Sequence, residues 1–544
     1  MLSLTALTLI GLGLLSIFAW RYFTIVKPDQ GGSFDIALTG SPRFLNPVLT
    51  PANETDRNLD NLIFSSLMKY DGQGNLIPSA ADKYAIGDNG KVYEVTLQKD
   101  IRWHDGQPLT TDDIIFTIQT IQNPDYKSPL LSLWQGVEVE KVDDLTVRFR
   151  IKGAFAPFID NLTFGILPKH LWENIPASQF ALHELNLKPI GSGPYKFTKL
   201  QKDSKGAVKV LTLNAFDKYF AGQTYISTIN FKFYSTESDC YAAYKKGEVE
   251  SFGFLSVKNF AELKNKPNHN LKIYSISLPR YFAVFFNQAQ NKFLADKTIR
   301  QALAFATDKK TIIQEVFGGY GQEIDSPLVP GTIGYSDQIK KYDFAPEHAK
   351  NILAAAGWKD VDNDGVLEIG KNNEKLAISL TTVDWPELAQ TASLLQKQWE
   401  QIGVKVNLNV KETSQAQSEI IKPRQYQALL FGEVLGIEPN FYSFWHSSQK
   451  KEAGFNLSLY ENPTADKLIS TAMEDFDNNS RSQKYRQIVN LITEDLPAIF
   501  LFSPDFLFGA KENVKGIDIK ILDNSSSLFS QATNWYIDTE RVLK

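Results

Sequence analysis

The residues best suited to hold a metal ion are three aspartates at alternate positions, Asp360, Asp362 and Asp364, followed by Gly365. This spacing matches the start of a calcium-binding loop, in which alternate carboxylates converge on a hard cation. Position twelve of such a loop requires a bidentate glutamate, but Lys371 occupies it here. Because a positive charge there disfavours calcium, we predict no metal site and interpret the segment as a polar hairpin turn.

His104 and Asp105 are another pair whose side chains could bind a metal or move a proton. No second histidine or cysteine lies near them at the spacing of metal ligands. The single cysteine, Cys240, excludes an internal disulfide bond and a cysteine metal cluster.

Catalytic motifs are absent from the sequence. It has no Gly-x-Ser-x-Gly nucleophile turn, no His-Glu-x-x-His metal motif and no phosphate-binding loop with its lysine. Residues 191–194 lack the glycine spacing of a nucleotide loop, so we predict a tight turn that leads into a strand. No pair of carboxylates is distinguished by its spacing as a glycosidase pair. The residues therefore indicate neither an enzyme nor a bound cofactor.

The elements around His104 can be predicted from residue types. Residues 93–97 have the composition of a strand, and Asp105-Gly106 forms a tight turn in which glycine accepts a positive φ. Thr110 is a helix N-cap with Asp113 three residues on. The helix that follows carries Ile114, Ile118 and Ile121 at helical spacing.

Other segments predict a mixed α/β protein. Strands are expected at 146–151 and 404–410, and helices at 346–356 and 388–402, which end at Gly357 and Gly403 respectively. A chain of 544 residues exceeds one ordinary hydrophobic core, so two or three domains are expected. The net charge of −5, without a basic cluster, argues against nucleic acid as a partner.

The first 20 residues carry no ionisable side chain. At about 1.5 Å per residue, the apolar run from Leu2 to Trp20 approaches the thickness of a bilayer core. Tyr22 and Phe23 suit the membrane interface, and the candidate signal cleavage site is poor. We therefore predict that residues 1–27 form an uncleaved membrane anchor.

The charged residues around the apolar run do not decide which way this anchor crosses the membrane. Arg21 and Lys27 follow the apolar run and no basic residue precedes it. The positive-inside rule alone would place the body in the cytoplasm. Either the true start lies upstream or the export of the body overrides a weak charge bias.

An ordered set of short motifs resembles the extracytoplasmic solute-binding proteins of ABC importers, family 5, which includes oligopeptide-, dipeptide- and nickel-binding members. The resemblance extends from about residue 31 to about residue 510. The motifs are Gly31-Gly32-Ser33-Phe34, Leu45-Asn46-Pro47, Arg102-Trp103-His104-Asp105-Gly106, Gly191-Ser192-Gly193-Pro194-Tyr195, Phe286-Asn287, Ile299-Arg300-Gln301-Ala302-Leu303-Ala304, Ala356-Gly357-Trp358, Asp360 to Gly365 and Glu494-Asp495-Leu496-Pro497.

The resemblance implies an α/β fold of the periplasmic-binding-protein type II class, two-lobed with an extra inserted domain (cluster C type). Two crossings of the chain, near residues 275 and 498, would form the hinge. The expected segments are 28–66, 190–275 and 499–544 for lobe I, 67–189 for the inserted subdomain, and 276–498 for lobe II.

The resemblance also directs attention to ligand-binding residues. In the peptide-binding members, an aspartate four residues before the proline of an acidic-Pro pair receives the α-amine of the ligand; here the pair is Glu438-Pro439 and the position is Leu435. Glu433, two residues earlier, would point to the same side of a strand and could replace it. The candidate ligand-binding residues are Asn53, Glu54, Tyr281, Phe285, Trp385, Glu433, Leu435, Asn440 and Trp445.

The function implied is capture of a solute, a short peptide first of all, between two lobes and its delivery to an ABC permease. We expect a monomer, held at the outer face of the cytoplasmic membrane or in the periplasmic space by its N-terminal segment. Two alternatives stay open: an extracytoplasmic hydrolase of peptide or glycan, and a ligand-sensing receptor component without a transport role.

Overall fold

The chain folds around two large sheets, each with its own hydrophobic core. The computed structural model describes residues 22–50, 53–253, 256, 270–451 and 454–543. We call the part built on the seven-stranded sheet the first lobe, and the part built on the six-stranded sheet the second lobe.

The sheet of the first lobe is mixed. Its strand Gly31–Thr39 pairs in parallel with two neighbours. Phe34, Ile36 and Leu38, at alternate positions of this strand, are buried because one face of the sheet covers the core. In spatial order the strands are Leu271–Ile276, Phe506–Lys511, Ser251–Gly253, Gly31–Thr39, Ile226–Tyr234, Val208–Ala215 and Tyr195–Lys202.

The sheet of the second lobe has a nearly all-apolar centre. Its strand Arg280–Phe286 is flanked on both sides by other strands, so that most of its side chains are buried. In spatial order the strands are Gly321–Glu323, Ala498–Pro504, Arg280–Phe286, Ala428–Val434, Ala377–Val383 and Lys405–Lys411.

The chain passes between the two sheets twice. It crosses from the first to the second through residues 277–279 and returns at Asp505. The return lies later than the predicted position near residue 498. The physical reason is that residues 498–504 pair with a strand of the second lobe, so that the sheet of this lobe holds the chain until Pro504.

A four-stranded antiparallel sheet lies within the segment predicted to be an inserted subdomain. Its core is continuous with that of the first lobe. The predicted strand, turn and helix are confirmed: the helix is Thr111–Gln122, Gly106 has a φ of 92°, and Asp113 Oδ2 accepts a hydrogen bond from the Thr110 N–H at 2.9 Å. In spatial order the strands are Ala81–Gly87, Val92–Leu97, Thr146–Arg150 and Glu138–Lys141.

His104 joins this smaller sheet to the first lobe. Its Nδ1 accepts a hydrogen bond from the Gly191 N–H at 3.2 Å, and its Nε2 lies 3.0 Å from the Gly193 carbonyl oxygen, to which it donates. Burial lowers the pKa of His104 to about 4, so the ring is neutral. A Cβ at Gly191 would lie 1.8 Å from the carbonyl oxygen of Ile63, so this turn requires glycine. The histidine therefore has a structural role.

Helices cover both large sheets. The two predicted by periodicity are confirmed as Pro346–Ala355 and Pro386–Glu400, and positive φ angles at Gly357 and Gly403 end them. The other described α-helices are Glu54–Ile63, Leu131–Trp134, Lys169–Trp172, Ala177–Phe180, Glu237–Lys245, Lys292–Ala295, Lys297–Phe305, Lys309–Phe317, Thr413–Ala416, Phe441–Trp445, Pro463–Met473 and Asn478–Asp495.

The aspartates of the calcium-like sequence lie in a turn beside a two-stranded ribbon, Glu368–Ile369 with Glu374–Lys375. Carboxylate oxygens of Asp360, Asp362 and Glu368 lie within 4.8 Å of one another. Lys375 Nζ is 3.0 Å from Asp362 and also contacts Asp364. A lysine of the protein thus supplies the positive charge among these carboxylates.

A second ribbon joins the two ends of the described chain, with Thr24–Pro28 antiparallel to Thr539–Leu543. Both strands are largely exposed. Within the described residues, no helix combines the length and the apolar character needed to cross a membrane. The apolar run of residues 2–20, on which the predicted anchor depends, lies outside the described residues.

Candidate ligand-binding cleft

A cavity of about 550 Å³ lies between the two lobes, and we call it the cleft cavity. Its walls are mainly apolar, with a few polar groups at its base, which is the usual composition of a ligand pocket. The inserted sheet and its loops supply Leu133, Val137, Ile151, Phe155 and Phe158; the second lobe supplies Leu435, Ile437, Pro439, Phe441, Tyr442, Ile469 and Met473; and the base holds Tyr70, Asp160 and Asp523.

The lobes contact each other beside this cavity. A Cβ at Gly90, in the inserted sheet, would lie 2.0 Å from the ring of Phe476 in the second lobe. A Cβ at Gly74 would lie 3.5 Å from Ile437 of the second lobe. The cleft cavity is therefore bordered by direct contacts between the lobes.

The second-lobe wall begins where a strand ends at Val434. The Leu435 N–H donates to the Pro279 carbonyl oxygen at 2.7 Å, next to the first crossing of the chain. Glu438 is held in place by Arg481 Nε at 3.0 Å and by the Tyr485 hydroxyl at 2.7 Å. This wall is thus tied to the hinge and to the long helix of the second lobe.

The base of the cleft cavity is acidic. The Tyr70 hydroxyl donates to Asp160, and burial raises the pKa of Asp160 to about 6. Asp523 accepts a hydrogen bond from Asn524 Nδ2 at 2.7 Å, and burial raises its pKa too. Among the residues that the structure describes, Oδ1 of Asp523 has no hydrogen-bond partner.

A smaller cavity of about 300 Å³ lies behind this base, on the first-lobe side, and we call it the inner cavity. It shares Tyr70, Asp160 and Asp523 with the cleft cavity. Asp60 lies in its wall with one shielded carboxylate oxygen that has no partner in the described part of the chain. The two cavities therefore meet at a group of carboxylates.

The first-lobe residues predicted for ligand binding lie at the start of a helix, where Asn53 is the N-cap and Glu54 the first helical residue. Asn53 Oδ1 accepts from the Thr55 N–H at 3.0 Å, and Glu54 accepts from the Ser525 hydroxyl at 2.5 Å. Neither lines the cleft cavity. Trp385, in the second lobe, is 45% exposed with its ring 6.4 Å from that of Phe431, and it also lies outside the cavity lining.

Three predicted aromatic residues lie in the core of the second lobe instead of the cleft lining. Tyr281, Phe285 and Trp445 are each at most 1% exposed. Tyr281 and Phe285 are buried because their strand is central in the sheet. Asn440 does line the cleft cavity, where its side chain accepts from the Ser443 N–H at 3.1 Å and caps a short helix.

Glu433 and Leu435 line different cavities. Leu435 faces the cleft cavity, whereas Glu433 lines a separate cavity of about 490 Å³ within the second lobe. Glu433 accepts from the Tyr281 hydroxyl, and burial raises its pKa to about 8. The expected alternation fails because the strand ends at Val434, before Leu435. A role for Glu433 in binding stays a prediction.

Sequence reasoning missed Tyr70, Asp160 and Asp523. They belong to three segments far apart in the chain, and no local motif marks any of them. In the sequence, Glu438 is distinguished only as part of an acidic-Pro pair. The fold alone brings these residues to one cavity.

Comparison with known proteins identifies the class of this fold and cleft. Residues 75–455 match the sequence model described as "Bacterial extracellular solute-binding proteins, family 5 Middle". The chain belongs to this family of two-lobed α/β solute-binding proteins.

Several relatives are named for the peptides that they bind. The chain is 32% identical over 499 residues to the oligopeptide-binding protein AppA of Bacillus subtilis, covering 90% of this chain and 89% of that protein. It is 27% identical over 518 residues to the dipeptide-binding protein of Escherichia coli, covering 91% and 93%. The structure of B. subtilis AppA in complex with a nonapeptide matches with a TM-score of 0.69 and 31% identity, covering 94% of this chain and all of that one.

Proposed function

We propose that this protein captures short peptides in the cleft cavity and delivers them to an ABC permease. The observation that carries the proposal is a cavity of about 550 Å³ between the lobes of a chain that is 32% identical, over 90% of its length, to an oligopeptide-binding protein. Such a protein requires a partner permease that binds its closed, ligand-bound form.

Capture follows from a population shift between open and closed lobes. A ligand that contacts both walls of the cleft stabilises the closed form only to the extent that it binds that form better than the open one. The walls that it would join are the apolar side chains of the inserted sheet and the segment from Leu435 to Tyr442. No covalent step is required, and relatives such as AppA are binding proteins rather than enzymes.

We propose further that residues 1–27 anchor a monomer to the outer face of the cytoplasmic membrane. The apolar run of residues 2–20 supports this, together with the exposed Tyr22 and Phe23 directly after it.

Native mass spectrometry of protein purified without denaturation tests the function. We expect a population that carries retained peptides, which tandem fragmentation would sequence. Incubation with peptide pools should exchange this cargo without cleaving the peptides. Cleavage products would favour the hydrolase alternative, and a cargo of another chemical class would refute the peptide assignment.

A further inference from the structure

We propose that the cleft cavity selects peptides that carry a positively charged group, which Asp523 and Asp160 bind at its base. The group is an ammonium or guanidinium: either the α-amine of the peptide or a lysine or arginine side chain. The inference rests on the proposed peptide function and specifies what part of the peptide the base of the cleft recognises.

The first observation is the charge of the lining. Within the described chain, the charged residues that line the cleft cavity are Asp160, Glu438 and Asp523, and none of the lining residues is basic. Glu438 is neutralised by Arg481, which lies behind it at 3.0 Å. Arg481 also lowers the pKa of Asp160, which burial raises, so one guanidinium is shared by two of the three carboxylates and the lining keeps a negative net charge.

The second observation is the state of Asp523. Its Oδ1 is shielded from solvent and, among the described residues, lacks a hydrogen-bond partner, while Asp523 itself lines both cavities. Burying a carboxylate oxygen without a hydrogen-bond donor is energetically unfavourable, and such oxygens are rare in native proteins. A shift of the Asp523 side chain toward the cleft cavity would expose this oxygen to an N–H⁺ donor of a ligand, which would satisfy it.

The pKa of Tyr70 reflects the negative charges at the base of the cleft cavity. Its hydroxyl donates to Asp160, and burial together with the charges of Asp160, Asp523 and Glu438 raises the pKa of Tyr70. Two basic residues, Arg57 and Lys69, line only the inner cavity, where Asp60 also lies. Arg57 Nε donates to the Ser526 hydroxyl at 3.3 Å. These two basic residues therefore border the carboxylates from the inner cavity and do not line the cleft cavity.

Three peptide pools of equal length test the proposal by affinity capture and mass spectrometry. The first has a free α-amine and neutral side chains, the second is the same pool acetylated, and the third is acetylated but carries one lysine. We expect wild-type protein to enrich the first or the third pool at least about tenfold over the second. Which of the two is enriched identifies the α-amine or the side chain as the bound group.

The variants Asp523→Asn and Asp160→Asn should each remove most of this preference, whereas Asp125→Asn, an exposed control, should not. Because Asp523→Asn removes the cost of burying a carboxylate and keeps an oxygen that can accept from Asn524, its melting temperature without ligand should equal or exceed that of wild type. A destabilised variant would indicate a structural role and count against the proposal. Equal enrichment of all pools by wild type refutes the charge preference but leaves peptide binding intact, whereas no enrichment of any pool refutes peptide binding itself.

Discussion

Glu433 and Leu435 lie two residues apart but line different cavities. Leu435 stands where the family resemblance predicts an amine-binding aspartate, and it contributes to the apolar wall of the cleft cavity. The neighbouring carboxylate of Glu433 is turned into the second lobe, against Tyr281. The missing acid at position 435 can be recognised in the sequence, but the carboxylates of Asp160 and Asp523 at the base of the cavity cannot, because these residues lie far apart in the chain and no local motif marks them.

The difference in free energy of unfolding between Glu433→Gln and wild type should shift in favour of the variant as the pH rises. Burial raises the pKa of Glu433 from 4.5 to about 8, so the folded protein holds this proton more tightly than the unfolded chain. The free energy of unfolding of wild type therefore falls by roughly 2–4 kcal/mol as the pH rises from about 4.5 to about 8. The glutamine variant does not lose this free energy, because its side chain does not ionise.

Thermal melting of both proteins at pH 5 and pH 8 measures this difference, with the exposed Glu419→Gln as control. An equal difference at the two pH values would show that Glu433 is ionised in the folded protein. The same variant tests whether Glu433 receives the ligand amine: a loss of ten- to a hundredfold in affinity for free-amine peptides, absent for acetylated ones, would support that role.

Affinity for a cationic peptide should fall as pH drops below about 6. Burial raises the pKa of Asp160 to about 6, so this carboxylate loses its charge in that range. The groups that face it are the Tyr70 hydroxyl, Glu438 and Arg481. Calorimetry between pH 7.5 and pH 5 should show a decrease of roughly tenfold, with a flatter profile for Asp160→Asn. A flat profile for wild type would place the ligand's charge away from Asp160.

At the scale of elements, short segments were the most predictable part of the fold. The turn at Gly106 and the helix from Thr111 depend on neighbouring residues only, and both form as expected. The end of the strand at Val434 depends on how the chain leaves the sheet toward the hinge. Strand alternation alone could not predict it, and this is why Glu433 and Leu435 were expected on one side.

Asp113→Ala should destabilise the inserted sheet and its helices. Oδ2 of Asp113 accepts from the Thr110 N–H and Oδ1 from the Lys169 N–H, both at 2.9 Å. Removing the carboxylate leaves two donors unsatisfied, at a cost of about 1–3 kcal/mol. Asp112→Ala is the matched control, since it removes only a surface ion pair with Lys141. Equal melting temperatures for the two variants would contradict this account of the helix cap.

At the scale of the whole molecule, the two-lobed architecture could be predicted from the family resemblance but not from the periodicity of the sequence. No local pattern tells which strands share a sheet when segments as distant as residues 31–39 and 506–511 lie in the same one. Even so, the return crossing was expected near residue 498, and pairing of residues 498–504 with the second lobe moves it to Asp505. Long-range pairing of this kind is set by the fold rather than by local residue types.

The membrane anchor is tested by intact-mass measurement of protein extracted from membranes. We expect residues 1–27 to be retained, because bulky Phe18 and Trp20 flank the best small-residue cleavage site. A mature N-terminus near residue 20 would show that the apolar run is a cleaved signal, and the body would then be released from the membrane.

Capture between two lobes is the central claim, and small-angle scattering tests it most directly. The same preparation is measured first after its cargo has been removed. It is then measured again with a peptide that calorimetry has shown to bind. We predict a smaller radius of gyration for the bound protein, because ligand contacts with both walls of the cleft cavity favour the closed lobes. Equal radii in a sample shown to bind would contradict closure of the lobes around the ligand.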